Sequence, residues 1–200
     1  MDRRLPVIIA VCCIEVAFRA AYDFIRVDPL LYTFLVRAIE MLIIFFLAFK
    51  VCGISPASIR KELLIGLGIS AVFAAGVVFV DLASRFFLSG GLLNQLIGKQ
   101  HITNVMGFII VGCVFGPFVE ELFFRGLFYA WLRQHIHFIA AIVLSALIFA
   151  SMHGFISVVQ LIGGLLFAGI YEWRKNIWAP YMVHVLANFG IWVFPWIYPF

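Results

Sequence analysis

An all-α polytopic bundle of membrane helices is the fold class this sequence predicts, and three observations predict it. Hydrophobic residues make up 65% of the chain and charged residues only 12%, against about 25% charged in an ordinary soluble domain. The apolar residues fall in about seven runs near the ~20 residues a helix needs to cross the hydrocarbon core. Twenty-three Phe and five Trp supply the aromatic load of lipid-facing and interfacial surface.

The first run, Leu5 to Tyr22, follows the basic Arg3-Arg4. Glu15 and Arg19 interrupt it and no small-residue cleavage site follows, so it reads as a retained membrane helix and not as a cleavable signal. The second, Leu30 to Val51, is entered through Asp28-Pro29, an acidic cap before a proline fit for the first helical turn. The third, Leu63 to Leu88, follows the polar turn Gly53-Ile54-Ser55-Pro56. A weakly polar link, Ser89 to Asn104, leads to the fourth, Val105 to Leu132. The fifth spans Phe138 to His153, the sixth Phe155 to Trp173 and the seventh Ile177 to Phe194. Trp192 to Phe200, rich in aromatics and proline, reads as an interfacial belt. The expected organisation is one integral membrane domain over 1–200, in which helices and link over 1–104 lead into a four-helix core over 105–200.

Loop charges set the orientation. With seven spans, Arg3, Arg4, Lys50, Arg60, Lys61, Arg133, Arg174 and Lys175 share one side, and Arg26, Arg85 and Lys99 the other. The positive-inside rule then places the N-terminus in the cytoplasm of a multi-pass cell-membrane protein. The net charge of +4 comes without a basic cluster interleaved with aromatics, so no nucleic-acid partner is expected. Cys12, Cys13, Cys52 and Cys113 lack metal-type spacing and read as small buried hydrophobes.

Chemistry concentrates in Gly116-Pro117-Phe118-Val119-Glu120-Glu121-Leu122-Phe123-Phe124-Arg125-Gly126. Ionised groups in hydrocarbon cost roughly 2.5–3.5 kcal/mol each on insertion scales, so three together need partners, water or both, and mark a functional site. Glu121 and Arg125 are i, i+4 neighbours and can pair. Glu120 is rotated about 100° away and is not matched by that arginine. Pro117 should bend the helix or free the carbonyl of Cys113. One glutamate therefore reads as structural and the other as free to act, and a carboxylate in an apolar, partly dry pocket suits a general base.

His153 closes the fifth run, with Phe149 on its face one turn earlier. His184 and Asn188 are i, i+4 in the seventh. A lone membrane histidine is most often a helix-to-helix hydrogen-bond donor. Three helices that each offer carboxylate, imidazole or amide groups, with few other polar residues to meet them, favour convergence in one pocket. A carboxylate with a histidine can hold and deprotonate a water, while a histidine with an amide can donate to a developing oxyanion. Glu120, His153 and His184 could instead ligate zinc, although His-Glu-x-x-His is absent; no cofactor is expected. Ser145, Ser151 and Ser157 sit in no Gly-x-Ser-x-Gly elbow. Glu15, Arg19, Arg37, Glu40 and Asp81 are expected to pair between helices or lie near interfaces. Counting about 1.5 Å per residue puts Glu120 and His184 nearer the cytoplasmic half and His153 nearer the far side. The fifth helix must therefore start late, tilt or be re-entrant.

Glu120-Glu121-x-x-x-Arg125, Phe149-x-x-x-His153 and His184-x-x-x-Asn188, in that order on successive helices, resemble the CAAX protease and bacteriocin-processing (Abi) family of glutamic-type intramembrane proteases. The match covers about Phe115 to Phe189. The resemblance implies Glu120 as general base, His153 holding the nucleophilic water, His184 and Asn188 forming the oxyanion site, and Glu121, Arg125 and Phe149 in support. It implies a membrane-anchored protein or peptide as substrate, of CAAX type or bearing a C-terminal sorting tag, and a prokaryotic setting. A non-catalytic immunity or scaffold protein of the same fold, and a small transporter or proton relay, are the competing readings.

Overall fold

The computed structural model describes residues 4–25, 27–52, 54, 59–87, 96, 102–153 and 157–198. Among them, seven principal helices follow one another: α1 (Arg4–Ile25), α2 (Pro29–Ala48), α3 (Ile59–Phe87), α4 (Val105–His135), α5 (Phe138–Met152), α6 (Val158–Arg174) and α7 (Trp178–Ile197). The expected runs therefore exist in the expected order. Helix α3 starts about a turn before Leu63, and α7 runs about a turn past Phe194. The start expected for the sixth run at Phe155 lies outside the described residues, as do most of the Ser89–Asn104 link and Arg3, Arg26 and Lys99. Helices α1 to α4 are long and apolar enough to cross a membrane, and α5 is a shorter apolar helix. The chain is a multi-pass helical membrane protein.

Local chemistry explains the boundaries. Asp28 Oδ1 accepts from the Leu30 and Leu31 N–H groups, each at 3.0 Å, and Pro29 occupies the first helical turn, where its missing N–H costs nothing. Lys175 closes α6 in the left-handed region at φ 51°, and its N–H returns to Tyr171 O at 2.7 Å.

Helix α4 is the hub. Its second half, Leu122–Tyr129, is buried at every position because α1, α2, α5 and α6 all pack on it. It is also irregular: two stretches of wide i→i+5 winding, Phe108–Phe115 and Leu122–Tyr129, flank the α-helical turn Gly116–Glu121. Such π segments are rare and cluster at functional sites. Proline is part of the cause. Gly116 N–H donates to Val111 O, five residues back. The next donor in that register would be residue 117, which as proline has none. The orphaned carbonyl is thus Gly112, not Cys113 as α-helical counting predicts, since the winding there is one residue wider.

Small residues set the closest helix approaches. A Cβ on Gly66 would fall 2.6 Å from Ala179 O, so α3 and α7 touch backbone to backbone; one on Gly164 would fall 2.9 Å from Ala146 Cα, between α5 and α6. Close approach through small residues is how membrane helices gain van der Waals contact when lipid offers no hydrophobic drive.

Candidate active site

The two glutamates sit at the end of the α-helical turn between the π stretches, at the centre of the bundle. The expected Glu121–Arg125 pair forms: Nη1 to Oε1 is 3.0 Å, with both side chains at 0% exposure. Arg125 Nη2 also donates to Gly164 O at 3.3 Å, and the guanidinium lies over the rings of Phe149 and Phe167 at 5.0 and 5.2 Å. Three kinds of contact thus compensate one buried cation, as burial of a charge requires. Glu121 Oε1 additionally accepts from His184 Nδ1 at 2.8 Å.

Glu120 is not left without a cation. Arg37 of α2 reaches it, Nη2 to Oε1 at 3.2 Å. Arg37 Nη1 also meets Glu15 of α1, and Glu40 one turn along α2 at 2.5 Å. The sequence expectation was that these residues pair between helices or lie near interfaces. Arg37 pairs with Glu15 across helices and with Glu40 within α2, and their junction with Glu120 was not expected. Positions so far apart in the chain carry no spacing signal. The usable hint was the accounting itself, a carboxylate with no local cation and an arginine in another apolar run.

Glu120 Oε2 faces two imidazoles. His153 Nε2 and His184 Nε2 each lie 3.7 Å from it. The opposite ring nitrogens are held: His153 Nδ1 at 2.8 Å from Phe149 O, and His184 Nδ1 on Glu121. A carbonyl only accepts, so His153 Nδ1 carries hydrogen, and in its neutral form Nε2 is an acceptor. The depth puzzle of the fifth helix resolves without a late start. Helix α5 begins at Phe138 as expected, but its 15 residues cover only about 22 Å of a ~30 Å core. His153 caps its C-terminus at the level of Glu120.

Phe149 is buried between the ionic pair and the histidines, with ring centroids 4.5 Å from His153 and 5.7 Å from His184. Phe167 of α6, which sequence reading overlooked, stacks on His184 at 4.5 Å and 22°. One apolar residue among many on that helix gives no sign of its partner. Asn188 sits one turn beyond His184 and donates through Nδ2 to Gly112 O at 2.9 Å, the carbonyl that Pro117 cannot serve. Its amide keeps a second N–H. Of the serines, the Ser151 hydroxyl turns back on Ile148 O at 2.8 Å; Cys113 is buried.

His153, His184 and Asn188 line one end of a cavity of about 580 Å³ between α3, α6 and α7, whose walls are otherwise mostly apolar, with Leu67, Phe73 and Leu166 among them. Among the described residues, no group of three His, Cys, Asp or Glu side chains is arranged to hold a metal ion.

Residues 102–190 match the family described as type II CAAX prenyl endopeptidase, Rce1-like. That stretch holds Glu120, Glu121, Arg125, Phe149, His153, His184 and Asn188 together. The matched stretch is thus similar to the CAAX proteases. A putative membrane peptidase of Bacillus subtilis, YdiL, is 28% identical over 134 residues, covering 61% of this chain and 55% of that protein. The membrane-embedded CAAX protease MroQ of Staphylococcus aureus is 29% identical over 127 residues, covering 54% and 51%. The chain therefore spans about half the length of these curated relatives. No solved structure matches it. Arg37, Glu15 and Glu40 lie outside the stretch that matches the CAAX protease family.

Proposed function

We propose that this chain is an intramembrane endopeptidase of the cell membrane that hydrolyses a peptide bond of a membrane-anchored protein, using a water activated by Glu120. One observation carries the reading: a single carboxylate oxygen lies 3.7 Å from two imidazole Nε2 atoms. That separation is too long for a direct hydrogen bond and matches the span of one bridging water with legs of about 2.8 Å.

Proton counting assigns the roles. With both histidines neutral and their Nδ1 hydrogens committed, the water would face three acceptors with only two hydrogens. One acceptor must carry its own proton. We assign the donor role to His184, whose Nδ1 faces the Glu121 carboxylate, whereas that of His153 faces a carbonyl. A neutral His153 and an ionised Glu120 then hold the water, and His184 Nε2–H is free to donate.

The reaction follows. Glu120 takes a proton from the water as the oxygen attacks the scissile carbonyl carbon. The carbonyl oxygen becomes an oxyanion and accepts from His184 Nε2–H. As the C–N bond breaks, the proton on Glu120 passes to the leaving amine, and the new carboxyl group leaves on the other fragment. General-base assistance contributes about 10²–10⁴ in rate and an oxyanion donor about 10²–10³. Glu121 and Arg125 keep His184 in place and support its charge. The oxyanion contact expected of Asn188 would come from its second N–H, since the first is spent on Gly112 O.

No cofactor is part of this reading. A zinc ion on Glu120, His153 and His184 would have Arg37, 3.2 Å from the same carboxylate, as a competing fixed cation. By analogy with the CAAX proteases, the substrate is a lipid-anchored or membrane-spanning protein cut near its terminus. The chain works as one membrane domain with its N-terminus in the cytoplasm.

The test is cleavage of a membrane-anchored peptide reporter in liposomes. Glu120→Gln should lower kcat at least about 100-fold with folding unchanged. Wild-type turnover by that variant sinks the glutamate mechanism. Activity removed by a chelator and restored by zinc would favour the metal alternative, and reporter binding without any turnover a non-catalytic role.

A further inference from the structure

We infer that Arg37 is a positioning residue for the catalytic carboxylate, and that the α1–α2 hairpin which holds it is a working part of the active site. This rests on the reading of Glu120 as the base.

The geometry is specific. One arm of the guanidinium, Nη1, is pinned by Glu15 of α1 and Glu40 of α2. The other arm, Nη2, reaches Glu120 Oε1 at 3.2 Å. A planar fork anchored at one end presents its free arm in a fixed direction. Holding Oε1 fixes the rotation of the carboxylate, and so aims Oε2 at the two imidazoles. Glu40 is nearly inaccessible, with 2% of its side chain exposed, and Arg37 retains 17%, so solvent cannot substitute for these contacts.

Charge explains why the arginine comes with two extra carboxylates. A lone guanidinium against Glu120 would stabilise its anion and make it a poorer base. Glu15 and Glu40 share the same guanidinium, so Arg37 orients Glu120 while much of its field falls elsewhere. The charged groups around Glu120 are then Arg37 from α2, His153 from α5, His184 from α7, and Glu121 with Arg125 along α4. Those around Arg37 are Glu15, Glu40 and Glu120.

A separate contact ties the same hairpin to the other side of the site. Arg19 of α1 donates to Met152 O at 3.2 Å, the carbonyl preceding His153. A cation at a helix C-terminus is favourable electrostatically, and here it braces the end of α5 that carries a histidine. Helices α1 and α2 thus hold both Glu120 and the His153 turn, although neither helix lies in the stretch matched by the family.

The experiment measures kcat, KM and the pH profile of kcat/KM for full-length Arg37→Gln, Arg37→Lys, Glu40→Gln and Glu120→Gln in liposomes with the anchored reporter. Arg37→Gln should lose about 100-fold in kcat, the size expected of a misplaced catalytic group, with KM changed little. Its acidic limb should move to higher pH, since the carboxylate has lost a cation. Arg37→Lys, which keeps the charge and loses the fork, should recover part of the rate. Glu40→Gln leaves an acceptor for Nη1 but directs more of the guanidinium field at Glu120, so its acidic limb should move to lower pH. Opposite displacements from two neighbours are not what a packing role produces. A folded Arg37→Gln with wild-type kcat and profile overturns the inference, as do limbs that move the same way. If Arg37→Gln does not fold, unchanged profiles in both Arg37→Lys and Glu40→Gln overturn it equally. Full activity in Glu120→Gln would instead remove the reading beneath it.

Discussion

Replacing Arg125 by Met should be among the most damaging single changes in the chain, and its cost follows from the contacts. Arg125 and Glu121 are both at 0% exposure and pair at 3.0 Å, so neither water nor rearrangement at a surface can take over. Removing one partner of a buried pair costs about 3–5 kcal/mol because the other charge stays buried, and Gly164 O also loses its donor at 3.3 Å. That corresponds to about a 150- to 5,000-fold fall in the folding equilibrium constant. The informative comparison is the double variant Glu121→Gln/Arg125→Met. Glutamine keeps an oxygen for His184 Nδ1–H and carries no charge to strand, so the double should be at least about 2 kcal/mol more stable than Arg125→Met alone. Both should be poor enzymes, since His184 loses its anionic partner or that partner's support. The assay is denaturant unfolding in detergent micelles, followed by tryptophan fluorescence, for all four corners of the cycle. Arg125→Met within 1 kcal/mol of wild type, or a double no more stable than it, would refute the claim that a buried, mutually dependent pair holds this region.

The break in α4 gives a second-site rescue. Asn188→Ala should cost about 1–2 kcal/mol by stripping Gly112 O of its donor, and Pro117→Ala in that background should recover much of it by restoring an N–H in the i→i+5 register, read as a recovery in thermal unfolding. Gly164→Ala should cost about 1–3 kcal/mol by forcing α6 from α5, where the new Cβ would lie 2.9 Å from Ala146 Cα. Gly68→Ala, which meets nothing within 4 Å, should be neutral or stabilising by the same measurement.

What could be read without the structure follows from one-dimensional signals. Apolar run length and loop punctuation gave seven helices in order, because in lipid every backbone polar group must be satisfied within its own segment and helices are the local way to do it. The Glu121–Arg125 pair was legible for a similar reason, since i, i+4 proximity is a property of one helix. The i, i+4 placement of Asn188 beside His184 was legible from spacing, but its partner Gly112 O was not. Gly112 becomes the orphan only because α4 winds one residue wider before Pro117, and nothing in the composition of Phe108–Phe115 announces that.

The sequence by itself determined a polytopic helical membrane chain with carboxylates, imidazoles and an amide on three of its last four helices. Only the tertiary structure decided which oxygen of Glu120 faces the histidines, that Arg37 holds the other oxygen, and that a 15-residue α5 ends at the depth of the site. Helix geometry is local and repeats every few residues, so it can be counted along the chain. The approach of α2 and α5 to α4 depends on how whole helices pack, and no spacing between Arg37, Glu120 and His153 encodes it.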